Sequence, residues 1–246
     1  MRIAFIADIH ANRQAFAACL KEARMLGAER FVLLGDYVGY GADPEWCVQT
    51  VRELVRAGAI ALRGNHDAAI GDPGERMNPE AETAIEWTRC QLGAPERDFL
   101  AGLPLAMREG ERLYVHADAS APERWRYVTA PEEAYRSMAA TDARLTFCAH
   151  VHMPAIYSLS VVAKMTAFRP VTGVPVPLLA RRRWLVVVGS AGQPRDGNPA
   201  GSFAMLDTER AEVTFCRAPY DVEAAAAAIR ANALPEVFAE RLRVGL

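Results

Sequence analysis

Residues 3–12 read Ile3-Ala4-Phe5-Ile6-Ala7-Asp8-Ile9-His10-Ala11-Asn12. A short apolar run stops there at a carboxylate and an imidazole two residues apart. Five apolar residues before a polar break fit a buried strand. The same grammar recurs along the chain. Phe31–Leu34 stops at Gly35-Asp36, and Ala59–Leu62 stops at Arg63-Gly64-Asn65-His66-Asp67. Arg112–Val115 leads into His116-Ala117-Asp118, and Leu145–Cys148 into Ala149-His150-Val151-His152. Helical spacing separates the first of these strands: Ala15, Phe16, Cys19, Leu20 and Ala23, then Val48, Val51, Leu54 and Val55. Alternating strand and helix predicts a layered α/β fold, whose ligands bind beyond the carboxyl ends of strands.

Outward from these breaks, the punctuation is that of helix starts. Asp43-Pro44 and Asn78-Pro79 each place a capping residue before a proline at the first helical position. A further short helix is expected over Pro95–Ala101, and another around Pro131–Ala139. Strands dominate afterwards: Ile156–Val162, a weaker one near Ala167–Val171, then Trp184–Val188, Phe203–Leu206 and Glu212–Cys216. Asp221 caps an Ala-rich helix through Ala231, and Leu234-Pro235 starts a last one. Thr172–Pro177 reads as a loop, and Arg181-Arg182-Arg183 as a solvated hairpin tip. No repeat or linker divides residues 1–246, so one domain is expected.

Composition narrows the class. The chain has 246 residues, 51% of them hydrophobic, and a formal charge of −2. A nucleic-acid-wrapping surface would show a basic excess, and the charge balance argues against one. The five cysteines are odd in number and form no C-x-x-C pair, so neither a zinc ribbon nor a disulfide framework follows. Buried thiols in a reducing compartment are expected. No apolar stretch reaches the ~20 residues of a membrane span, and the apolar start lacks a cleavage pattern. A cytoplasmic protein without a membrane partner is the expectation.

All five histidines of the chain lie in the polar breaks. Asp8 and His10 are spaced i, i+2, as are His150 and His152, so each pair shares one face if the backbone there is extended. Imidazole with carboxylate suits Zn, Fe, Ni or Mn. The donors outnumber what one tetrahedral site takes. Two divalent metal ions follow, with Asp36 central in the set and a candidate bridge.

These clusters resemble the calcineurin-like metallophosphoesterase superfamily, whose pattern is Asp-x-His, Gly-Asp, Gly-Asn-His-Asp/Glu, a later His and Gly-His-x-His. Asp8–Asn12, Gly35–Gly41, Arg63–Asp67 and Gly189–Asn198 are similar to a bacterial group of small, stand-alone phosphoesterases. The resemblance implies a four-layer αββα sandwich of two mixed sheets flanked by helices. It implies one metal on Asp8, His10, Asp36 and His152, and another on Asp36, Asn65, His116 and His150. His66 would face the substrate as an acid or electrostatic stabiliser, with Asp67 orienting it. Two positions depart from the pattern. Ala149 stands where a Gly usually precedes the first His, and Ala117-Asp118 stands where Gly and often Ser follow the later His. A methyl group restricts φ > 0, so substrate preference is where these changes would act.

The implied activity is hydrolysis of a phosphodiester or phosphomonoester of a small molecule or nucleotide, by a hydroxide between two metals. Alternatives with the same centre are a phosphoprotein phosphatase or a nuclease, and a metal-free protein-binding scaffold is the alternative of another class. Two substrate contacts are candidates. Asn12 is either a contact or the cap of the first helix. Arg195, in a Gly/Pro-rich loop, either meets a phosphate through its planar fork or lies on the surface. Tyr40 either lines the pocket or packs.

Overall fold

The computed structural model describes residues 1–72 and 77–246. Two mixed six-stranded sheets stack face to face, as expected, with helices outside both. The first sheet runs β3 (Ile60–Ala61), β2 (Arg30–Leu33), β1 (Arg2–Ile6), β11 (Gly201–Asp207), β12 (Glu212–Ala218) and β9 (Val176–Pro177). The second runs β4 (Ala106–Glu109), β5 (Arg112–Val115), β6 (Leu145–Cys148), β10 (Arg182–Val187), β7 (Ala155–Ser160) and β8 (Met165–Phe168). Strands β1, β2 and β3 are parallel, and so are β5, β6 and β10. All six therefore present their carboxyl ends together within each sheet.

The alternation of β1 builds the layers. Ile3, Phe5 and Ala7 point between the sheets, where Phe5 stacks on Phe147 with ring centroids 3.9 Å apart. Ala4 and Ile6 point the other way, against α1 (Arg13–Met25) and α2 (Pro44–Arg56). The outer face of the second sheet packs Leu185 and Val187 on Ala134 and Met138 of α6 (Pro131–Ala139). A further apolar cluster joins α4 (Pro79–Gln91) to α7 (Val222–Ala231) and α8 (Glu236–Val244), and it includes Tyr40. Between β3 and β4 lie α3 (Asn65–Gly71) and α5 (Ala94–Ala101) besides α4.

Several expected elements shift. Asn78 and Asp221 cap their helices through Ala81 and Ala224, but Asp43 makes no side-chain cap bond. Val161 and Val162 are not strand residues; they form the exposed turn between β7 and β8. Val176–Pro177 pairs with β12 rather than looping freely. Arg182 and Arg183 open β10 instead of tipping a hairpin. Arg183 donates to the carbonyls of Met138 in the last turn of α6 and of Thr141 and Ala143 just after it, and Arg182 donates to Ser158. Among the described residues, no helix is long and apolar enough to cross a membrane.

Candidate metal centre

The loops after β1, β2, β3, β5, β6 and β10 converge at one end of the sandwich. Backbone hydrogen bonds lock them together. The Ile9 and His10 amides both donate to the Asp36 carbonyl, at 2.8 and 2.9 Å, and the Ala191 and Gly192 amides donate to Ala7 and Asp8. At Gly192 a Cβ would fall 1.8 Å from the Ile9 carbonyl oxygen, so only glycine lets these two loops touch. The i, i+2 pairs do not converge through extended backbone. Asp8, His10, His150 and His152 all sit at positive φ, between 49° and 67°, as do Ala11, Asp36 and Tyr40. Left-handed residues turn each side chain inward. Such strained positions gather at functional sites.

Each carboxylate is divided between an amide and the histidines. Asp8 Oδ2 accepts the His150 amide at 3.0 Å, while Oδ1 is buried without a hydrogen-bond partner, 3.8 Å from His152 Nε2. Asp36 Oδ1 accepts the His66 amide at 2.9 Å. Its Oδ2 lies 3.4 Å from His116 Nε2 and 3.7 Å from His10 Nε2.

The imidazoles are fixed from behind. Nδ1 of His10, His116 and His152 contacts the carbonyls of Val38, Leu34 and Gln193 at 3.2, 2.7 and 2.7 Å. A carbonyl only accepts, so in the neutral rings these nitrogens carry the protons and each of the three Nε2 atoms presents a lone pair. His10 Nε2 and His152 Nε2 nevertheless face each other at 3.0 Å, and His116 Nε2 faces His150 Nδ1 at 3.2 Å and Asn65 Oδ1 at 3.3 Å. Lone pairs converging on lone pairs and carboxylate oxygens are the donor set of a cation. The residues present fit divalent metals. Carbonyl-oriented imidazoles of this kind are the usual outer support of metal ligands.

Two groups satisfy the distance requirement among the described residues. Asp8, His10, Asp36 and His152 form one, and Asp36, His116 and His150 the other, with ligand atoms in each group within 4.8 Å of one another. Burial sets the electrostatics. It pushes Asp8 up to about 8, with Asp36 adding to it, and pulls His10 and His152 well below their ordinary range. His150 falls to about 3 by burial beside His116. Burial also opposes charge on His116, but Asp36 and Asp8 outweigh it and raise the ring to about 9. Positive charge is thus favoured at the centre of the cluster, on the ring beside Asp36, and opposed by burial on the outlying rings.

The remaining predicted residues fall differently. His66 is buried, with Nδ1 lacking a partner and burial lowering the ring to about 4. It lines a cavity of about 200 Å³ together with Asp36, Asn65, His150, His152 and Arg195. Asp67 makes no hydrogen bond to the His66 ring. Its carboxylate takes the amides of Asp36, Tyr37 and Gly64 at 2.8, 2.9 and 2.9 Å, and so holds the Asp36 loop. Asn12 does not reach that cavity. Its Oδ1 caps α1 through the Ala15 amide at 3.1 Å, and its Nδ2 donates to the Gly192 carbonyl and Tyr220 hydroxyl. Arg195 does reach it, tied to Gln193 Oε1 at 2.9 Å with its guanidinium 5.9 Å from the Tyr40 ring.

Ala117 and Ala149 both avoid positive φ, so their methyl groups strain nothing. Asp118 turns away from the cluster to Arg136 of α6 at 2.7 Å and to Ser120. Sequence reasoning missed Tyr127, which lines the cavity from the loop before α6. No pattern marked it. It also missed Gln193, although that residue lies in the quoted Gly189–Asn198 segment.

Comparison with known proteins agrees with this geometry. The model of the calcineurin-like phosphoesterase superfamily domain matches residues 1–211. An uncharacterized protein of Methanocaldococcus jannaschii is 31% identical over 99% of this chain and 98% of its own. A crystal structure of a metallophosphoesterase from Sphaerobacter thermophilus is 35% identical, covers both chains completely and superposes with a TM-score of 0.87. A hypothetical protein from Pyrococcus horikoshii, 20% identical over all of this chain and 98% of its own, shares the fold with a TM-score of 0.80.

Proposed function

For a chain that belongs to the calcineurin-like phosphoesterase superfamily, we propose hydrolysis of small-molecule phosphate esters at a pair of divalent metal ions. The observation that carries the reading is Asp36, the one residue common to both groups of converging ligand atoms. Asp8, His10, Asp36 and His152 would hold one ion, and Asp36, Asn65, His116 and His150 the other. Mn, Fe, Zn and Ni all suit this mixture of imidazole and oxygen donors. When bound, such ions polarise phosphoryl oxygens and bring the pKa of water toward about 7.

The chain's own residues do the rest. Asp67 fixes the loop of the shared carboxylate, and the carbonyls of Val38, Leu34 and Gln193 fix the rings. His66 Nδ1 is buried without an acceptor, and an orphaned N–H is the costlier state. The His66 proton therefore sits on Nε2 and serves as a hydrogen-bond donor in the cavity. There it stabilises the oxygen that leaves as the P–O bond breaks. Arg195 offers its fork to the phosphate. Water supplies the oxygen that bonds to phosphorus, and the alcohol departs with a proton, so no side-chain nucleophile takes part. The small cavity favours a small ester over a nucleic-acid strand. Four buried free thiols agree with a reducing, cytoplasmic setting.

The test is elemental analysis of the purified protein alongside turnover of a chromogenic monoester and diester with Mn²⁺. Two metals per chain and metal-dependent hydrolysis are expected. A folded protein that takes up a single ion, or none, overturns the proposal.

A further inference from the structure

Tyr127 lines the cavity beside the converging histidines. Its ring stacks on the His150 ring, with centroids 4.3 Å apart and planes 13° from parallel. Tyr127 is 51% exposed, in contrast to the buried histidine beneath it. It lines the same cavity as His66, Asn65 and Arg195. No other ring stacks on it among the described residues.

The loop presents this ring rigidly. Trp125 sits at φ 49°, and Val128 is buried in the cluster under the second sheet. The next two residues are clamped, because Glu133 accepts the amides of Thr129 and Ala130 at 2.6 and 3.1 Å. At the loop's other end, Asp118 is tied to Arg136. An exposed aromatic held firmly beside the cluster of metal-ligating side chains provides a stacking surface. Stacking of that kind tolerates any planar ring, because every such ring has a π face.

Resting on the phosphoesterase reading above, we infer that Tyr127 is a specificity residue that stacks a planar aromatic group carried by the phosphate ester. The substrate class is then an aryl or nucleoside phosphate. Hydrophobic stacking on one ring sets its preference over alkyl esters of equal charge.

Non-hydrolysable analogues test this apart from turnover. Binding of phenylphosphonate and methylphosphonate to the metal-loaded protein is measured by calorimetry, for the native chain, Tyr127→Phe and Tyr127→Leu. Metal content is measured for each, so that loss of His150 support is seen directly. The phenyl ligand is expected to bind roughly tenfold more tightly than the methyl ligand. Tyr127→Phe retains that ratio, and Tyr127→Leu brings it near one. The ratio of kcat/KM for p-nitrophenyl phosphate and for a nucleoside monophosphate over glycerol phosphate follows the same order. Loss of the ratio with the nitrophenyl ester alone identifies aryl esters, and with the nucleotide alone nucleoside esters. A ratio that Tyr127→Leu leaves unchanged, with both ligands affected equally, assigns the ring a structural role and overturns the inference. Binding of neither phosphonate overturns the phosphoesterase reading as well.

Discussion

The Asp67 carboxylate accepts the Asp36 amide at 2.8 Å, together with the amides of Tyr37 and Gly64, and makes no hydrogen bond to the neighbouring His66 ring. The acid beside the histidine therefore positions the shared carboxylate. Asp67→Ala strands three buried amides, at about 1–3 kcal/mol each. Asp67→Asn keeps the volume but loses part of the grip. Its Mn²⁺ affinity should fall roughly 10–100-fold, as for other lost supports of metal ligands. Titration of folded Asp67→Asn checks this, and native affinity would remove Asp67 from the role.

Asp36 and His66 should separate cleanly. Asp36→Ala weakens both metal groups, because both include it. His66→Ala retains the metals and loses turnover by roughly 10²–10³, the usual contribution of a positioned hydrogen-bond donor to charge developing on oxygen. Elemental analysis paired with kcat distinguishes the two, and equal metal loss would contradict the assignment of His66.

Gly39 is the wall behind His66. It sits at φ 84°, and a Cβ there would lie 2.3 Å from His66 Nδ1. Gly39→Ala should cost about 1–2 kcal/mol of backbone strain and displace the ring. The expected outcome is near-native metal content with a kcat lowered toward that of His66→Ala. Chemical denaturation and steady-state rates read the two effects separately.

Thiol reactivity should single out one residue. Cys90 is exposed, whereas Cys19, Cys47, Cys148 and Cys216 are buried. Burial pushes the Cys19 thiol up to about 12 and Cys216 to about 11. A thiol reagent at neutral pH should label one group per native chain quickly and the others only on unfolding. Rapid labelling of two or more in the native state would contradict the burial described.

Glu133 gives a pH dependence of known sign. The Thr129 amide, the Thr129 hydroxyl and the Ala130 amide hold its carboxyl below the ordinary range against a small desolvation effect. A depressed carboxyl adds stability above its unfolded pKa of about 4.3. That stability is lost as pH falls through the lower folded value. The group is largely solvated, so about 1 kcal/mol or less is involved. Glu133→Gln should flatten the acid limb of a stability–pH profile by that amount, and an unchanged limb would refute it.

The strands that bury both faces were legible because their residues are apolar without interruption, as in Ile3–Ala7 and Leu145–Cys148. Each led correctly to the loop that carries a converging side chain. Strand β4 was not legible, since Ala106–Glu109 is an edge with three exposed residues. Helix α3 hid inside the Gly64–Asp67 cluster, and its seven residues are too few to show periodicity. Val161 and Val162 read as strand, though they are 84% and 80% exposed at a turn. The donors were legible by type and spacing, but their manner of convergence was not. Left-handed backbone at Asp8, His10, His150 and His152 leaves no mark in residues that are not glycine. Asn12 kept two readings because one amide serves equally as cap or contact, and only its partners decide.

The His150 amide finds the Asp8 carboxylate across 142 residues of sequence, and Asn12 finds Tyr220 across 208. Such long closures make chains fold slowly. No piece of the cluster can assemble early from neighbours alone. Ions would meet a complete set of donors only once both sheets have docked, so they act on the finished protein. Added metal should then lengthen the lifetime of the native state while leaving the speed of its formation unchanged.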